Sequence, residues 1–103
     1  MANIYQGRFS GRTAVITGGA AGLGLQTARR MVQEGARVTL WDIDDQKLSE
    51  VQKEIGAHSI QALDVSDAVA VAQAAIESRQ SLGKIDILVA SAGITGAIMP
   101  APV

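Results

Sequence analysis

Val15-Ile16-Thr17-Gly18-Gly19-Ala20-Ala21-Gly22-Leu23-Gly24 carries an apolar run into spaced glycines and on into a segment that suits a helix. A strand that stops at Thr17 has to turn sharply, and Gly18 allows this because it has no Cβ to forbid positive φ. The helix that follows starts with backbone N–H groups that lack an intrahelical acceptor, and its dipole puts partial positive charge at the same end. Such an end favours an anion, above all a phosphate. A side chain at Gly22 would hold phosphate oxygens off the backbone, and Gly24 lets helix and sheet approach closely. Three glycines alone also fit a tight turn that binds nothing, the lesser reading, and the surrounding chain weakens it further.

Working outward, apolar and amphipathic stretches alternate with few residues between them. Thr13 to Thr17 reads as a buried strand. The next segment puts Gly24, Ala28, Met31 and Gly35 on one helical face, with Gln26, Arg29, Arg30 and Gln33 opposite. Arg37 to Asp42 is a second strand, entered through Gly35 as a helix stop. Asp44 then fits an N-cap, and Leu48, Val51 and Ile55 recur at helical spacing before Gly56. His58 to Leu63 suggests a third strand. Ser66 is the expected cap of a third helix whose Val69, Ala72 and Ile76 face inward, closed by Gly83, and Ile85 to Ala90 reads as the fourth strand. The expected fold is therefore α/β, with the order β-α-β-α-β-α-β. Right-handed crossovers and short connections turn that order into a doubly wound parallel sheet with strand order 3-2-1-4 and helices on both faces. Ligands of such sheets bind beyond the carboxyl ends of the strands, where the winding reverses between the first strand and the fourth. The glycine loop, Asp42, Asp64 and the Ser91-Ala92-Gly93 turn all fall at that edge.

Composition narrows the function classes. The chain of 103 residues suits one domain, spanning residues 1–103, and 48% of it is apolar. A net charge of −1, with no basic run, argues against a nucleic-acid partner and against electrostatic membrane attachment. Cysteine is absent, which removes disulfides and thiolate metal sites and fits a reducing compartment. Met1 to Arg8 lacks the apolar centre of a signal peptide, and glycines and prolines break the uncharged stretch from Ile87 to Val103. A cytoplasmic location is the expectation. Asp44, Asp45, Glu50 and Glu54 read as a solvated helix face, and no metal site is expected.

Asp42 stands about two dozen residues beyond Gly18, at the end of the second strand. A carboxylate there accepts hydrogen bonds from both ribose hydroxyls of an adenosine and repels a 2′-phosphate. No Arg or Lys lies in the glycine loop, and Arg37 sits at the far end of its strand. The expected cofactor is NAD, not NADP. A plain cap or turn role for Asp42 is the alternative. Trp41 points to the opposite sheet face and belongs in the core, while His58, lacking any partner motif, reads as a surface or packing residue.

The pattern Thr17-Gly18-x-x-x-Gly22-x-Gly24, with Asp42, the Asp64-Val65 pair and the strand end Leu88-Val89-Ala90-Ser91-Ala92-Gly93, resembles the N-terminal, cofactor-binding half of a short-chain dehydrogenase/reductase. The resemblance implies a Rossmann-type fold and NAD contacts at Gly18, Ala21, Gly22, Leu23, Gly24, Asp42, Ile43, Asp64, Val65, Ser91, Ala92 and Gly93. By it, the aspartate matching Asp64 meets the adenine amino group, the backbone of Val65 meets the ring, and Gly93 lets the chain approach the nicotinamide ribose. It also implies a homo-oligomer, a dimer or tetramer, acting on a small alcohol or carbonyl substrate. One departure is plain: Asn-Asn-Ala-Gly is usual in the family where this chain has Ala90-Ser91-Ala92-Gly93, so amides that steady the sheet are missing and Ser91 is expected to replace one contact.

The tyrosine and lysine that the family uses for catalysis, with their serine and asparagine, have no counterparts here; Tyr5 precedes the first strand and has no lysine four residues on. The chain is thus expected to bind cofactor without turning it over, as part of a longer one-domain enzyme whose next strand pairs with the fourth. A stand-alone NAD-binding module or sensor is the alternative, and a nucleoside-dependent methyltransferase fits the glycine pattern less well.

Overall fold

The first strand, β1 (Thr13–Thr17), is buried at all five residues, as an uncharged strand flanked on both edges and covered on both faces has to be. In the computed structural model, which describes residues 7–91, β1 is followed by α1 (Gly22–Gln33), β2 (Arg37–Asp42), α2 (Asp45–Ile55), β3 (Ser59–Ala62), α3 (Ala68–Leu82) and β4 (Ile87–Ala90). The sheet is parallel with order β3-β2-β1-β4. Thr17 lies level with Trp41 on one side and Ala90 on the other, so the strand ends that precede the glycine loop, Asp42 and Ser91 share one edge.

Alternation along the strands divides the core in two. Ala14, Ile16, Val38 and Leu40 face α1 and α2, where they pack with Ala28, Met31, Leu48 and Val51. Val15 and Trp41 face the other way, against Ala74 and Leu82 of α3. At the opposite edge from the glycine loop, the Asp86 carboxylate accepts from the Thr13 backbone N–H at 3.0 Å and the Asp86 N–H donates to the Thr13 carbonyl at 3.0 Å. The hydrogen bond donated by the Thr13 N–H, with Lys84 nearby, holds the Asp86 carboxyl below its ordinary value.

Helix α2 is bounded as its sequence suggests. The Asp44 carboxylate accepts from Lys47 N at 3.0 Å, and Gly56 closes the helix at φ 76°. Helix α3 departs from expectation twice. Its cap is Asp67, which accepts from the backbone N–H groups of Val69 and Ala70. Ser66 is taken up one step earlier, donating through its N–H and its hydroxyl to the Asp64 carboxylate at 2.9 and 2.7 Å. The face is also rotated: Ala74, Ser78 and Leu82 are buried, whereas Val69 and Ile76 are 78% and 57% exposed and Ala72 is exposed as well. The reason is Trp41, whose bulk needs small residues opposite and whose indole N–H needs an acceptor. Ser78 supplies both, accepting that proton at 3.1 Å. The third and fourth strands are shorter than the apolar runs that suggested them, although His58 N and Leu63 N still bond to Val38 O and Asp42 O at 2.8 and 2.9 Å.

Candidate functional site

The loop from Gly18 to Gly24 is shaped by what its glycines allow. Gly18 turns at φ 67°, and Gly22 enters α1 at φ 57°, so any side chain at Gly22 would be strained even though the space around it is open. Ala21 is the N-cap in extended backbone; no side chain caps the helix and no acid occupies its first turn. The first-turn N–H groups therefore have no side-chain cap among the described residues. At Gly24, a Cβ would overlap the Gly18 carbonyl and the Ser91 hydroxyl, which makes the close approach one of α1 to its own loop and to the end of β4.

Gly19 escaped the sequence reading. A Cβ there would sit 2.8 Å from Leu40 Cδ2, and its N–H donates to the Trp41 carbonyl at 3.1 Å. Its signal was present as a fourth glycine beside Gly18, but the neighbour that demands it lies in β2.

The other expected residues gather at the same edge of the sheet. Asp42 is half-buried; one carboxylate oxygen accepts from Ala20 N at 3.1 Å and the other from Asp44 N at 3.2 Å. An ionised carboxylate has about four acceptor positions, so about two remain. Ile43 beside it is 71% exposed, and Leu23 on the first turn of α1 is 76% exposed. Asp64 is exposed beyond β3, and the backbone and hydroxyl hydrogen bonds from Ser66 hold its carboxyl below the ordinary range. Val65 follows at 40% exposure. Ser91 donates from its hydroxyl to Thr17 O at 2.6 Å and from its N–H to Thr17 Oγ1 at 3.1 Å, tying the ends of β1 and β4 together. Ala92 and Gly93 lie outside the described residues, as does Tyr5. His58 lies away from this edge, at the entry to β3, with its Nε2 within 3.0 Å of Ser81 Oγ.

Below the edge, an apolar cleft of about 290 Å³ opens between α3 and β4, lined by residues that include Thr17, Trp41, Val65, Leu88 and Ala90. A cleft of about 390 Å³ beside Phe9, Met31 and Glu34 contains none of the expected site residues. Among the described residues no three His, Cys, Asp or Glu side chains converge as metal ligands, and no helix is long and apolar enough to cross a membrane.

The family model described as short chain dehydrogenase matches residues 12–101. The chain belongs to that family. A 2-dehydro-3-deoxy-L-rhamnonate dehydrogenase (NAD(+)) of Sphingomonas sp. is 53% identical over 98 residues, covering 95% of this chain and 39% of the relative. A short chain dehydrogenase from Mycobacterium smegmatis superposes with a TM-score of 0.82 at 29% identity, over 93% of this chain and 42% of the other. Carveol dehydrogenase from Mycobacterium avium, solved in complex with NAD, superposes with a TM-score of 0.78 at 32% identity, over 85% and 38% of the two chains. The chain thus spans about two fifths of the length of the short-chain dehydrogenases it matches. Each of these three proteins is named a dehydrogenase.

Proposed function

We propose that residues 1–103 form the NAD-binding part of a short-chain dehydrogenase that interconverts an alcohol and a carbonyl compound. The observation that carries the choice of cofactor is the half-buried Asp42 carboxylate at the end of β2, beside Ala20 of the phosphate loop. A 2′-phosphate would meet that negative charge, and Arg37 is engaged elsewhere, donating to the Leu82 carbonyl.

The residues suit a dinucleotide. The uncapped start of α1 and the open space at Gly22 are what a pyrophosphate requires, so Gly18 and Ala21 to Gly24 would hold it. Asp42 would take the adenosine ribose, Ile43, Asp64 and Val65 the adenine, and Ser91, Ala92 and Gly93 the nicotinamide ribose. When bound, the nicotinamide supplies or accepts the hydride. This chain's own part is to bind and orient; the tyrosine and lysine the family uses for catalysis have no counterparts in it, so the 103 residues are expected to bind without turnover. The sister dehydrogenase named for NAD(+) and the neighbour solved with NAD support the cofactor. The wider reading is a small alcohol or carbonyl substrate, a homo-oligomer and a cytoplasmic setting.

Titration of the chain with NAD+ and NADP+, followed by calorimetry, tests this. NAD+ is expected to bind the more tightly, Gly22→Val to abolish binding, and Asp42→Ala to narrow the preference by about 1–3 kcal/mol. Equal affinity for the two cofactors in the unaltered chain would sink the assignment.

A further inference from the structure

Three consecutive residues of β2 each grip the glycine loop. Leu40 fills the space where Gly19 lacks a Cβ, the Trp41 carbonyl accepts from Gly19 N at 3.1 Å, and the Asp42 carboxylate accepts from Ala20 N at 3.1 Å. The last contact differs from the others because it is a hydrogen bond accepted by a side chain, so a substitution removes the acceptor. Ala20 is 2% exposed, so its N–H is cut off from solvent and has to find an acceptor within the fold. No carbonyl of α1 can serve, because the loop precedes the first turn.

We propose that Asp42 is a positioning residue for the phosphate loop: before any nucleotide arrives, its carboxylate holds Ala20 N–H and so sets the path from Gly19 to the start of α1. The other oxygen of the same carboxylate holds Asp44 N, so one side chain joins the glycine loop to the turn that opens α2. The inference rests on the dinucleotide reading for its consequence, though not for its geometry. Residue 42 then governs two things at once. A substitution meant to admit a 2′-phosphate also releases Ala20 and loosens the site for the pyrophosphate that both cofactors share, so affinity for NAD+ and NADP+ falls together unless another acceptor replaces the carboxylate.

Amide hydrogen exchange in the nucleotide-free chain, read by NMR, separates this from a role in contact alone. Ala20 N–H is expected to be protected in the unaltered chain and in Asp42→Asn, whose side-chain carbonyl still accepts, and to exchange about tenfold faster in Asp42→Ala, the factor set by an ordinary hydrogen bond. Gly19, bonded to Trp41 O, should change less. The amides of Ile16 and Leu40 report global stability. Equal Ala20 exchange in the unaltered chain and Asp42→Ala would overturn the proposal, as would an acceleration shared evenly with Ile16 and Leu40. Should Asp42→Ala not fold, an Ala20 amide already unprotected in the unaltered chain would overturn it equally. NAD+ is added last. Unmoved resonances from Gly18 to Gly24 would then sink the dinucleotide reading and leave the Ala20 result standing.

Discussion

The two faces of the sheet are built to different degrees of closure. On one, α1 and α2 lie over Ala14, Ile16, Val38 and Leu40, and the side chains between them are buried. On the other, α3 is the one helix among the described residues over Val15 and Trp41; a cleft of about 290 Å³ runs along β4, and Leu88 is 65% exposed. The difference follows from the winding. Two right-handed crossovers run outward from β1 to β3 on one face, and the single return to β4 places one helix on the other. It also explains where helix periodicity can be read. α1 and α2 have one apolar side and one polar side, whereas α3 carries apolar residues most of the way round, so its pattern admits more than one inward face.

Four measurements would break or sharpen that contrast. Leu40→Ala, on the closed face, is expected to cost about 2–5 kcal/mol in urea unfolding, because a fully buried side chain leaves a cavity; a loss below 1 kcal/mol would mean the face is not packed as described. Asp67→Ala should cost about 1 kcal/mol through the lost cap of α3, and Ser66→Ala distinctly less. The reverse order would restore Ser66 as the cap.

A smaller effect is expected from pH. The carboxyls of Asp64 and Asp86 are held below their ordinary value of 3.8 by hydrogen bonds from Ser66 and Thr13. Their stabilisation is complete above 3.8 and is lost as pH falls through the lower folded-state values. Urea midpoints measured down that range should fall, and Asp86→Asn should flatten the fall; an unchanged slope would remove the Thr13 contact from the account. Last, Leu88→Ser on the open face should alter stability by no more than about 0.5 kcal/mol. A cost like that of Leu40→Ala would show that the cleft is closed in solution.

Much of the candidate site was legible because its signals are local. Gly18 announces positive φ, and Asp44 and Gly56 mark the ends of α2 by chemistry that reaches only a few residues. What escaped depends on partners distant in the chain. Gly19 answers to Leu40, and the inward face of α3 to Trp41; Ser91 is expected to steady the sheet, but the sequence does not name its partner Thr17. Glu34, which the helix pattern does not single out, is a further case: it is 1% exposed and paired with Arg30 and Arg8.

Sequence by itself determined the order of elements, the winding of the sheet and the edge at which the glycine loop meets Asp42, since apolar periodicity, turn residues and crossover handedness act along the chain. Only the tertiary structure decided that Asp42 grips Ala20, that Ser91 locks β1 to β4 and that α3 turns Ser78 toward Trp41. Those choices are made by buried donors that have to find acceptors across the sheet, and no local pattern records where the acceptor will be.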